Sequence, residues 1–172
     1  MGYMQKSSDD VEKQLYIDKI KELEDKLKGL EADKEDVLNR EQNTRAGFVY
    51  IISNIGSFGE QVYKIGMTRR LEPMERIEEL SSASVPFKFD VHALIFSEDA
   101  PALEAVLHQT FRDNQVNKVN PRKEFFKVDL EEIKRIVREN HNATVQFIDV
   151  PEAEEYRETL RLEAQHQSAN VL

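Results

Sequence analysis

The chain has 172 residues, 40% hydrophobic and 33% charged, with a formal net charge of −9 and no cysteine. That length holds one ordinary globular domain plus an extended element, and the lack of cysteine excludes disulfides, thiolate nucleophiles and zinc ribbons together. No apolar run approaches the roughly 20 residues that span a bilayer, and the first residues lack the apolar stretch of a secretory signal, so the expected setting is cytoplasmic, with no membrane partner.

Charge is unevenly placed. Residues 46–128 carry 10 Lys/Arg and 11 Asp/Glu, so all but one of the net negative charges lie in the flanks. The middle of the chain is near neutral and lacks the large cationic surface of a tight nonspecific nucleic-acid binder.

In chain order, residues 1–10 are expected to be disordered. From 11 to about 40, Glu, Lys and Leu predict one helix in which Ile20, Leu23, Leu27 and Leu30 recur at alternating spacings of three and four, with Val37 in phase. That is the seam of a coiled coil. It is interrupted by Lys34 at a core position, and Gly29 costs about 1 kcal/mol relative to alanine. Two readings stay open: a stalk that joins two copies as a homodimer, or an amphipathic helix packed on its own domain.

After a polar connector to residue 46 the period changes to two. Strands over 47–53 and 61–66 flank a polar loop and predict an antiparallel hairpin. With the loop symmetric about Ser57, Tyr50 would face Lys64 directly, both on one side of the sheet. A phenol opposite an ammonium, just before a glycine and the pair Arg69 and Arg70, suits a site better than a core.

A helix over 72–81 follows, with Pro73 in its first turn and Leu71, Met74, Ile77 and Leu80 as its buried stripe. Arg76 lies beside that stripe, with Glu72 one turn back as an ion-pair partner. A third strand is predicted over 88–97, then a helix over 100–112 capped by Asp99 or Ser97. Its apolar face is Leu103, Val106, Leu107, Thr110 and Phe111, with Glu104 on the border, one turn before His108. Structurally, Glu104 would be an acid complementing the helix dipole and His108 a half-buried imidazole bonded to it.

Beyond a polar loop that includes Asn120 and Arg122, 124–128 predicts a short strand with Phe125 and Phe126 on opposite faces. A helix over 130–140 presents Leu130, Ile133, Ile136 and Val137 to the core. An added strand is expected over 144–150, docked by Val145, Phe147 and Ile148, and an acidic helix from Pro151 to about residue 167. The fold class is therefore α/β (α+β): a small, mostly antiparallel three-stranded sheet flanked by helices and preceded by a long helix. The segments are 1–10, 11–45, 46–142 and 143–172.

The order Phe48-Val49-Tyr50, Lys64-Ile65-Gly66, Arg76 within Met-Glu-Arg-Ile, and Glu104 within Ala-Leu-Glu-Ala-Val-Leu-His resembles the GIY-YIG nuclease superfamily. Lys-Ile-Gly-Met-Thr-Arg-Arg and Asn-Pro-Arg-Lys-Glu-Phe-Phe-Lys-Val, the latter over 120–128, are most similar to its phage branch, the Orf-172-type DNA-binding domain. The resemblance covers roughly 47–128. It implies a Mg-dependent DNA endonuclease, phage-encoded and working in a host cytoplasm, with Tyr50 and Lys64 activating water, Arg76 on the scissile phosphate and Glu104 on a single Mg²⁺. It further implies a supporting asparagine, best matched by Asn120; His108 is a candidate support beside its structural reading, and Arg69, Arg70 and Arg122 are the expected DNA contacts.

Those groups match the chemistry, since phosphodiester hydrolysis needs a base for water, a cation for the phosphorus and a carboxylate-held metal for the leaving oxygen. One carboxylate with waters suits Mg²⁺, which dehydrates reluctantly. The chain departs from the pattern at two places: Phe48 replaces the first motif's glycine, and Lys64 replaces the second motif's tyrosine, with Tyr63 on the opposite face. A lysine serves as base when burial or nearby cations lower its pKa, the expected cations being Arg69, Arg70 and Arg76. Two alternatives stay open, a non-catalytic DNA-binding module of the same fold and a structural or assembly protein acting through its coiled coil.

Overall fold

A computed structural model describes residues 2–42 and 44–169, with side chains over 10–38 and 44–169. The chain divides between Thr44 and Arg45 into two units. The first is one helix, α1 (Gly2–Gln42). It begins before the expected start at residue 11, and residues 2–10, expected to be disordered, are helical. No proline or glycine interrupts 3–10, and extending a formed helix is cheaper than nucleating one. Ile20, Leu23, Leu27 and Leu30 are 54–66% exposed.

In the second unit β1 (Gly47–Ser53), β2 (Val62–Thr68), β3 (Asp90–Ser97) and β4 (Phe125–Lys127) form an antiparallel sheet in the order β3-β1-β2-β4. The expected three-stranded sheet thus gains β4 at one edge. The hairpin forms with its register shifted by two: Tyr50 pairs with Gly66, and Ile52 with Lys64. The cause is the connection, where Asn54 caps a short helix, α2 (Ile55–Phe58), its side chain accepting from the Ser57 N–H. The turn is therefore not centred on Ser57. A shift of two keeps the alternation of faces, so Tyr50 and Lys64 still share one side.

The main core lies on the other side. Val49, Ile51, Ile65 and Ile95 meet Leu103 and Leu107 of α4 (Ala100–Thr110) and Ile133 and Val137 of α5 (Leu130–Asn140). The α4 stripe is narrower than predicted: Ala100, Leu103, Leu107 and Phe111 are buried, whereas Val106 and Thr110 are exposed. A helix crossing a sheet buries one line of side chains, and those two lie off it. Asp99 caps α4 by accepting from Ala102 N–H at 3.1 Å, and Ser97 Oγ accepts from Asp99 N–H. Both predicted capping residues contribute.

On the opposite side Tyr50 and Ile52 pack with Ile77 of α3 (Pro73–Ser82). Leu71 and Met74, predicted in its buried stripe, are 58% and 42% exposed. The buried line of α3 runs instead through Pro73, Ile77 and Leu80, so Met74 lies off it and Leu71 precedes the helix. Phe126 enters the main core, and Phe125 turns the other way onto Phe58 and Phe89, as alternation requires.

The expected strand over 144–150 does not form; the segment is extended without a ladder. It is held at one place, where Ile148 N–H donates to the His92 carbonyl at 2.8 Å and the Ile148 carbonyl accepts from His92 Nδ1. The buried Lys134 adds ion pairs to Asp149 and Glu131. Val145 and Phe147 pack on the core, but the Ile148 side chain is 59% exposed, so its backbone does the docking. The last helix, α6 (Glu154–Ala169), starts after Pro151, because Ala153 adopts a left-handed φ of 45°. No described helix is long and apolar enough to cross a membrane.

Candidate active site

The site is built on an incomplete strand edge. Along β2, β4 pairs with Val62, Tyr63 and Lys64, and the next outward group, Ile65 N–H, donates to the Glu124 carbonyl at 3.1 Å. The polar groups that follow along β2 would be left bare. Helix α4 supplies their partners instead: His108 Nε2 donates to the Ile65 carbonyl at 2.7 Å, and the Glu104 carboxylate accepts from Met67 N–H. Glu104 therefore points at the sheet edge. It lies beyond the first turn of α4, which contains no acid, so it is not the dipole-complementing residue of the simpler reading. His108 bonds to the backbone rather than to Glu104. A carbonyl only accepts, so Nε2 carries a proton and Nδ1 alone has a lone pair to offer.

Tyr50 stands over Gly66. A Cβ built on Gly66 would come within 2.5 Å of the Tyr50 hydroxyl, so the glycine of Lys-Ile-Gly is the floor on which the phenol lies. A Cβ on Gly47 would likewise lie 2.6 Å from the Thr68 carbonyl. That close approach explains a glycine one position before the place the superfamily pattern expects it. Arg76, half-exposed on α3, hydrogen-bonds toward the phenol, and its Nη1 lies 3.3 Å from Glu79. Its ion-pair partner is thus Glu79, one turn on, and not Glu72.

Burial pushes the Tyr50 phenol up to about 12; the negative charge of Glu124 adds to this, and Arg76 opposes it. Burial likewise raises the Glu104 carboxyl above the usual range, and Glu124 raises it further, against the positive charge of Lys64. Those mutual effects show that Tyr50, Lys64, Arg76, Glu104 and Glu124 share one neighbourhood. Lys64 Nζ is 2.9 Å from Glu124 and 5.3 Å from the centroid of the Phe125 ring. The arginines expected beside Lys64 are directed elsewhere: Arg70 makes a two-pronged pair with Glu79 at 2.5 and 3.0 Å, and Arg76 is shared between Glu79 and Tyr50.

Ligand atoms of Glu104, His108 and Glu124 lie within 4.8 Å of one another, close enough for one divalent cation to contact all three. Two carboxylates and a histidine, where the resemblance implied one carboxylate, fit such an ion. The residue that sequence reasoning missed is Glu124. Its signal was present: it is the sole acid between Asp113 and Asp129, inside the conspicuous 120–128 block. What hid it was its partner, because only the β2–β4 pairing brings it to Lys64.

Other predicted residues stand apart. Asn120 Oδ1 accepts from Arg122 N–H at 3.0 Å, closing its own turn. Arg69 and Arg122 are exposed.

A four-stranded antiparallel sheet with helices on both faces, and a phenol, two cations and two carboxylates gathered near one edge, defines an α/β domain with a charged site at its sheet edge. Residues 47–141 match the T5orf172 domain, over half of the chain, and the chain belongs to that phage-associated family, which is related to the GIY-YIG fold. No curated protein and no solved structure matches the chain.

Proposed function

We propose that this chain cleaves phosphodiester bonds in DNA as a Mg-dependent endonuclease of GIY-YIG type. The supporting observation is the meeting of Tyr50, Lys64, Arg76 and Glu104, from four separate stretches of chain, around the open end of the β2 edge. Arg76 binds the scissile phosphate, exchanging Glu79 for it. With its pKa near 12, Tyr50 is a neutral phenol at pH 7 and positions the attacking water by hydrogen bonding. Lys64 takes the proton of that water as the neutral amine, after its pair with Glu124 opens and the ammonium gives its own proton to solvent. Glu104 and Glu124 hold the Mg²⁺, with His108 Nδ1 alongside; when bound, the ion supplies positive charge to the leaving oxygen. Arg69, Arg70 and Arg122 contact the DNA backbone.

Nicking of supercoiled plasmid tests this reading. Wild-type protein in Mg²⁺ yields nicked circles, and Glu104→Gln, which keeps an acceptor for Met67 N–H and so keeps the fold, lowers the rate by about 10³-fold. The expected calorimetric result is that Glu104→Gln and Glu124→Gln each weaken Mn²⁺ binding about tenfold or more. Wild-type protein that cuts neither supercoiled, linear nor single-stranded DNA rules the endonuclease out. A second reading is a DNA-binding module without turnover. It is favoured by the pairing of Lys64 and Arg76 with Glu124 and Glu79, which occupies both cations the reaction needs. Salt-sensitive binding with no cutting in any divalent ion identifies that case.

A further inference from the structure

Helix α1 is the largest feature that the site leaves unexplained. Its outer faces are mostly polar, with Leu15 and Ile17 among the exceptions, and it carries one apolar stripe broken at Lys34. With Ile20 assigned to heptad position a, the stripe from Tyr16 to Val37 occupies a and d: Tyr16, Ile20, Leu23, Leu27, Leu30 and Val37, with Lys34 at the remaining a. Every apolar member is between 42% and 66% exposed. Positions b, c and f are almost all polar, so one seam alone asks to be covered.

We infer that the seam is covered by α1 of a second copy of this chain, running parallel and in register. The flanking charges decide both partner and direction. At g stand Lys19 and Lys26; at the e positions of the following heptads stand Glu24 and Glu31. In a parallel, in-register pair each g residue faces the e residue five places on in the other helix. Lys19 then meets Glu24 and Lys26 meets Glu31, and two-fold symmetry repeats each contact. An antiparallel pair instead sets e against e, glutamate against glutamate, and g against g, lysine against lysine. Leucine at d in two successive heptads with isoleucine at a favours two strands. Lys34 at a fixes the register: in the parallel pair it lies beside Asp33 at g of the other copy, a contact that a slipped pair loses. In the single helix Lys19 and Lys26 both turn to Glu22, at 2.9 and 2.7 Å, so the two lysines are already drawn along the helix surface and need only change partners.

The pairing places two domains in one particle whether or not the domain cuts DNA. Sedimentation equilibrium of the full chain at micromolar concentration gives twice the 20.0 kDa of one copy. Lys19→Glu with Lys26→Glu sets glutamate against glutamate at both of these contacts and weakens the dimer about tenfold or more. Adding Glu24→Lys and Glu31→Lys to that chain restores it, which separates pairing from a general loss of helix. The chain has no native cysteine, so Tyr16→Cys and Val37→Cys, tested singly, report direction: each cross-links to itself under oxidation at both ends of the seam. A monomeric mass, a quadruple variant that stays weakened, or a dimer in which neither cysteine variant cross-links overturns the proposal.

Discussion

At the scale of single residues, the contact between Tyr50 and Gly66 governs the site. The phenol fills the space where any side chain at position 66 would sit, which ties the second motif's glycine to the first motif's tyrosine. Gly66→Ala must displace the ring. The expected result is a loss of about 1–3 kcal/mol in urea unfolding, typical of overpacking, together with a fall in any nicking activity. The pKa of Tyr50 gives a second expectation. Its folded value of about 12 exceeds the free-tyrosine value, so the folded protein holds the phenol proton more tightly than the unfolded chain. The resulting stability is complete below the unfolded pKa of about 10 and is lost as the pH climbs toward the folded value. Wild-type protein should therefore lose about 3 kcal/mol more than Tyr50→Phe between these limits. Equal losses in the two proteins would mean that the phenol is not buried as described.

At the scale of elements, α3 and the β2 edge divide the work. α3 carries Arg76 and also its restraint, because Glu79 pairs with Arg76 at 3.3 Å and with Arg70 at 2.5 Å. Glu79→Gln releases two guanidinium groups toward a phosphate. Exposed pairs of this kind contribute up to about 1 kcal/mol, so DNA affinity should rise by about two- to fivefold in a fluorescence anisotropy titration. A fall in affinity would show that Glu79 positions the arginines instead of restraining them. The β2 edge explains why Glu104 and His108 lie one turn apart on α4. They replace the hydrogen bonds that a longer β4 would have made, to Met67 N–H and the Ile65 carbonyl. The elements themselves were legible: Pro73 opens α3, Asp99 caps α4, and apolar spacing marks α5. The hairpin register was not, because a helical turn inside a short loop leaves little trace in composition. The strand expected over 144–150 did not form although β3 is an edge strand: Ile148 N–H bonds to the His92 carbonyl, but the Ile148 carbonyl is taken by the His92 ring, and no ladder continues.

At the scale of the whole molecule, net charge and its placement set the mode of nucleic-acid binding. A protein of net charge −9 whose cations cluster near one edge binds through few phosphates. If Arg69, Arg70, Arg76 and Arg122 supply the contacts, the logarithm of affinity should fall against the logarithm of salt with a slope of about −3 to −4. A slope near zero would show that DNA is not held through these residues. Pairing of α1 would add avidity by joining two such weak sites, without altering the slope of either one.

The sequence by itself determined the elements and the chemical types at the site, because apolar periodicity, caps and a few spaced polar residues act locally along the chain. It also located Tyr50, Lys64, Arg76 and Glu104 as residues to follow. The tertiary structure alone decided which of them touch. Glu124 reaches Lys64 only because β4 joins β2, and Glu104 reaches the Met67 N–H only because β4 stops short. Partners separated by tens of residues are chosen by strand pairing and packing, and neither is written in the neighbourhood of either residue.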